Sequence, residues 1–132
     1  MTRLVDGSRT LDDLDPPAWG EPTFDSHVVT TCHRLRRKPL REFSVEDLRI
    51  MIGQRIGLEW LVPVAIEVLE RTPLAAGDFY PGDLLSSVLS VESDFWSREV
   101  EWCSRTRAVL DRIPAIPEEL FQAVAAFRAK TE

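Results

Sequence analysis

The sequence predicts an all-α fold: a single compact domain of about five to seven helices behind an irregular N-terminal arm. Three observations lead there. The segment FSVEDL carries a full set of helix-start signals. LEWLVPVAIEVLERT is apolar except for one narrow stripe of polar residues at spacings of three and four. Prolines and glycines punctuate the chain where the periodic stretches stop. A length of 132 residues suits one domain with one core.

Residues 1–22 are rich in Pro, Gly and Asp and read as an irregular arm, with a short helix from Leu11 to Leu14. Residues 23–132 read as one helical domain. Its first helix starts on Asp25 or Ser26 as cap and stops before Pro39, with Val28, Cys32 and Leu35 on one face. The β-branched run VVTT leaves a strand open as an alternative there.

In FSVEDL, Ser44 stands at the N-cap and Asp47 three residues on, as a capping box requires. Phe43 and Leu48 are placed to form a hydrophobic staple, and Gly53 is a natural end. The segment Leu58 to Thr72 reads as the central helix, with Glu59, Pro63, Glu67, Glu70 and Arg71 forming its polar stripe. Pro63 must lie in the first turn or kink this helix. A short helix follows from Pro81 to Leu89, with Pro81 at its first position. One long helix is expected from Ser93 to Ile113, with Phe95, Trp96, Val100, Cys103, Val109 and Leu110 inward. Pro117 opens the last helix, with Leu120, Val124 and Phe127 facing the core.

Composition excludes some classes of function. An apolar fraction of 44% and a charged fraction of 29% suit a globular chain. No apolar run approaches the roughly 20 residues of a membrane span, so no membrane partner is expected. The start, MTRLVDGSRT, lacks the apolar segment of a signal peptide, so a cytoplasmic location is expected, with Cys32 and Cys103 reduced. Net charge is −6, and residues 42–101 alone carry twelve acids against four arginines. Such a surface repels nucleic acid and speeds encounter with basic partners. The basic run RLRRK, Arg34 to Lys38, closes a helix, where cations suit the negative dipole end.

The loop GDFYPGDLL, Gly77 to Leu85, is the main candidate for chemistry. Asp78 and Asp83 could serve a metal-dependent enzyme as paired carboxylates. Equally, Asp83 can meet free N–H groups at a helix start while Asp78 shapes the turn before it. The second reading needs no further ligands. His27, Cys32 and His33 match no zinc spacing, and no phosphate loop or nucleophile motif occurs. No metal, cofactor or catalytic residue is therefore assigned.

Two stretches, KPLREFSVEDLRIMIGQRIGLEWLVPVAIEVLE and TPLAAGDFYPGDLLSSVL, carry a family likeness. Between about Lys38 and Trp96 the chain resembles the immunity proteins of bacterial contact-dependent growth inhibition (CDI) systems. The resemblance implies a non-enzymatic protein that binds the C-terminal domain of a toxin delivered by a neighbouring cell, often a nuclease. It carries over neither catalytic nor contact residues. Charge independently suggests a basic toxin surface met by Glu67, Glu70, Asp78, Glu92 and Asp94, with Phe79 and Tyr80 as aromatic anchors. An adaptor domain for some other basic protein stays open as an alternative.

Overall fold

The computed structural model describes residues 6–20 and 26–132, which hold eight α-helices joined by turns. The apolar run at the centre of the sequence is also central in space. Helix α4 (Leu58–Arg71) packs against α3 (Val45–Gly53), α5 (Asp83–Leu89) and α7 (Val100–Asp111). Helix α8 (Phe121–Lys130) covers α5, and α2 (His27–Leu35) flanks α3. Helices α1 (Leu11–Leu14) and α6 (Ser93–Arg98) are short. The core gathers Leu48, Met51 and Ile52 of α3, Leu61, Ile66 and Leu69 of α4, and Leu84, Leu85 and Val88 of α5. Burying apolar area of this kind is the main drive for folding.

The capping box forms as expected. Ser44 Oγ accepts from Asp47 N at 3.0 Å and Asp47 Oδ2 accepts from Ser44 N at 3.0 Å. Lys38 Nζ donates to that same oxygen at 2.6 Å, tying the end of the basic run to the start of α3. Phe43 and Leu48 both join the core. In α2 the cap is Ser26, whose Oγ accepts from Val29 N, and the segment is helical rather than strand. Asp25, the other cap candidate, lies outside the described residues. Val28, expected inward, is exposed.

Two further expectations need correction, and a third is narrowed. Of the two places open to Pro63, it takes the one beyond the first turn, as the sixth residue of a helix that starts at Leu58. It is also buried, which interrupts the polar stripe. Pro81 precedes its helix by two residues; Gly82, at φ 96°, is the cap, and Pro81 bridges Ala76. The long helix from Ser93 is two helices, broken at Glu99 (φ −118°, ψ 61°). The reason lies in the periodicity. Glu99 is four residues after Phe95 and four before Cys103, so an unbroken helix would carry a carboxylate into the middle of the apolar face. The break leaves Val100 69% exposed instead of inward. The last helix opens with a 3-10 turn at Glu118–Leu120, and Leu120, Val124 and Phe127 are buried as expected.

The described part of the arm is folded onto the body. Thr10 and Asp13 form a second capping box, and Leu11 is fully buried. Gly57, at φ 64°, starts α4 directly beneath it: a Cβ there would meet the Leu11 methyls at 2.9 Å. Glycine is needed at this position both for its dihedral and for the close approach. Arg36, 1% exposed, holds the arm. Its Nε donates to Asp12 Oδ1 at 2.8 Å and its Nη2 to the Asp15 carbonyl at 2.6 Å, while Trp19 lies 4.6 Å across the guanidinium. The basic run at 34–38 thus serves internal ties more than a free patch, since Arg37 also donates to the Gly20 carbonyl. Both cysteines are free and buried, and burial pushes the Cys32 thiol upward.

Candidate functional site

The loop at 77–83 is shaped by one buried carboxylate. Asp83 is 3% exposed. Its Oδ1 accepts from Gly77 N at 2.7 Å, and its Oδ2 from Phe79 N at 3.1 Å and Tyr80 N at 3.5 Å. The sequence led us to expect Asp83 to meet free N–H groups of a helix start. Instead it reaches back and gathers the amides of the preceding loop, wrapping the chain around itself. Carboxylates that accept several main-chain N–H bonds are strong structural elements.

Helix α3 supplies the other half of this clamp. Glu46 Oε1 accepts from Asp78 N at 3.0 Å. Arg49 grips Glu46 with two bonds, Nε to Oε1 at 2.6 Å and Nη2 to Oε2 at 2.5 Å. Its Nε also lies 3.9 Å from Asp83 Oδ2. The face of the same guanidinium carries the Phe79 ring, at 4.3 Å from the centroid. Gly77 makes the contact with α3 possible, because a Cβ there would run into Glu46 Oε1 and Asp83 Oδ2. Every main-chain N–H from 77 to 80 is therefore bonded to a carboxylate.

Glu46 and Arg49 were not singled out from sequence. The available signal was their spacing of three on the first turns of α3, which places them side by side. Nothing local says that the pair faces a loop some thirty residues away.

The structure brings Asp78, Phe79 and Tyr80 together on this loop, with different exposures. Phe79 is 69% exposed, Asp78 is exposed, and Tyr80 is half-buried against the core. The other candidate acids lie elsewhere. Glu67 is exposed on α4. Glu70, one turn on, is engaged: Arg105 of α7 donates to it at 2.8 and 2.5 Å, and Arg112 donates to its carbonyl at 2.6 Å. Glu92 pairs with Arg55 at 3.1 Å, an exposed contact of little energetic weight. Asp94, exposed, borders a cavity of about 540 Å³ under α6 and α7, together with Trp96, Cys103, Arg107 and Lys130.

The acids in these ties have shifted titrations. The Arg49 guanidinium holds the Glu46 carboxyl below its ordinary value of 4.5, and Arg105 does the same for Glu70. For Asp47, burial pushes upward, but the bonds from Lys38 and Ser44 outweigh it and the net shift is downward. A lowered folded-state value means that the unfolded chain binds protons first as pH falls. The stability from Glu70 is complete above pH 4.5 and is lost as pH drops through its depressed folded value. The pair is about a third exposed, so solvent screens it. Glu70→Gln should cost about 1 kcal/mol at pH 7 and flatten the acid side of a melting-temperature curve measured between about pH 3 and pH 7. An acid limb as steep as the parent's would show that the pair contributes nothing.

Among the described residues, no group of three or more His, Cys, Asp or Glu side chains is arranged to hold a metal ion, and no helix is long and apolar enough to cross a membrane. In the loop a buried carboxylate fixes the main chain and an aromatic ring is carried outward. No curated protein matches the chain. Residues 13–105 match the family model of the CDI immunity proteins, a span that takes in α2, the clamp on α3 and the whole 77–85 loop. With well over half of its length inside that match, the chain belongs to the CDI immunity proteins.

Proposed function

We propose that this chain neutralises a cognate CDI toxin by binding the toxin's C-terminal domain in the cytoplasm, without performing chemistry of its own. Membership of the CDI immunity proteins is the observation that carries this reading. Charge supports a basic toxin, of which a nuclease is the natural example because its cleft must attract phosphate. Residues 42–101 carry a net charge of −8, the difference between twelve acids and four arginines. Charge of one sign raises the rate of encounter with a partner of the other.

Of the candidate acids, Glu67, Asp78 and Asp94 are exposed and available for that encounter, as is the loosely paired Glu92. Glu70 has both oxygens committed to Arg105 and serves the α4–α7 contact. Inhibition follows if the complex covers the toxin's cleft or the surface next to it.

The deciding experiment is co-expression. The toxin domain encoded beside this chain should arrest growth alone, and growth should return when the chain is made with it. Arrest that persists despite soluble, folded chain would overturn the pairing.

A further inference from the structure

We propose that Phe79 is the anchor of the toxin complex, inserted into an apolar pocket with a basic rim on the toxin domain; this rests on the toxin-binding reading above. Phe79 is the most exposed aromatic side chain among the described residues, equal at 69% to Val100. Unlike Val100, which is exposed as a by-product of the break at Glu99, it is carried by a purpose-made support. Four successive amides, from Gly77 to Tyr80, are pinned by Asp83 and Glu46. Burying a carboxylate to fix a loop is costly, and a loop with no duty could turn its ring inward. Here the ring is lifted onto the Arg49 guanidinium instead, 4.3 Å from it.

Such a loop has little freedom left to lose on binding, and that saving goes directly into affinity. Buried aromatic anchors at the centre of an interface carry most of its energy. Tyr80 does not share the task, because it packs against the core and belongs to the support. The chemistry around the ring sets the partner's chemistry. Asp78 is exposed beside it, and in the clamp beneath, the two carboxylates of Glu46 and Asp83 outnumber the single cation Arg49. An apolar pocket edged by Lys or Arg complements this arrangement; an acidic edge would not. Arg49 acts as a positioning residue, holding the ring from below.

The test measures binding of the full chain to the toxin domain encoded beside it, prepared in an inactive form, with association and dissociation rates followed separately. Phe79→Ala should weaken affinity by about 30-fold or more, the threshold of a hot spot. The loss should appear as faster dissociation, with association almost unchanged. Its melting temperature should stay near that of the parent, because the ring is mostly in solvent. Gly77→Ala, which leaves Phe79 in place but forces the loop off Glu46, should also lose affinity. Asp78→Lys should act on the other rate, slowing association and weakening its dependence on salt. An affinity for Phe79→Ala within about threefold of the parent would overturn the anchor while leaving the immunity reading intact. If the unaltered chain does not bind the toxin domain, the immunity reading falls first and the anchor falls with it.

Discussion

Asp83→Asn lowers the melting temperature by about 10 °C, nearly as much as Asp83→Ala, although the two side chains differ by only one atom type from the original or by its entire carboxylate. Asp83 offers two acceptor oxygens to three amides, those of Gly77, Phe79 and Tyr80. Asparagine keeps one acceptor and turns the other into a donor, which then faces an N–H group. A buried donor left without a partner costs about 1–3 kcal/mol, and the attraction to Arg49 at 3.9 Å is lost as well. The total of about 3 kcal/mol converts to roughly 10 °C for a domain of this size. Hydrogen exchange supplies the local readout: the amides of residues 77, 79 and 80 should lose protection before the core does. Asp78→Asn is the control, since an exposed substitution away from such features stays within about 0.5 kcal/mol. A thermally normal Asp83→Asn would mean that the loop is held by something other than this carboxylate.

The second large effect is at Arg36. Arg36→Met keeps the aliphatic stem and removes the guanidinium, leaving the Asp12 and Asp15 carboxylates and the Asp15 carbonyl without their donor. Breaking a buried charge pair by removing one partner costs about 3–5 kcal/mol. Asp15 is half exposed and can rehydrate, so about 3 kcal/mol is expected. Lysine should not rescue it. A point charge cannot serve both sides of a planar fork, nor lie flat beneath Trp19. Limited proteolysis checks the location of the damage: residues 6–20 should be cut under conditions that leave the parent whole. An arm as resistant as the parent's, with unchanged thermal stability, would refute the latch.

The features readable from sequence were those written in neighbouring residues. Ser44 and Asp47 form their box, α3 runs to Gly53, and α4 begins and ends within a residue of its expected bounds. That Asp83 has a structural task was also legible, because Gly, Pro and Asp at those spacings leave few options. Its direction was not, since an acid at a helix start can serve amides on either side.

What escaped was tertiary. Arg36 looked like one more cation at a helix end, and only the arm folding back makes it the most deeply buried charged side chain among the described residues. Glu46 and Arg49 stand three apart near the start of α3, and nothing in that spacing announces the loop that rests on them. The helix break at Glu99 escaped too, because a single charge on an apolar face can be tolerated at an edge. The expected division at residue 22 falls between 21 and 25, outside the described residues, while Leu11 lies within the core.

The clamp has a consequence for how such a chain can change over generations. It grips amide hydrogens, which every residue except proline possesses, and asks nothing of the side chains at 78 and 79. Mutation can therefore rewrite what those two positions offer to the outside while the fold beneath is inherited intact. With the anchor proposed above at Phe79, retargeting to a drifting adversary needs no reinvention of the scaffold, only new lettering on a fixed signpost.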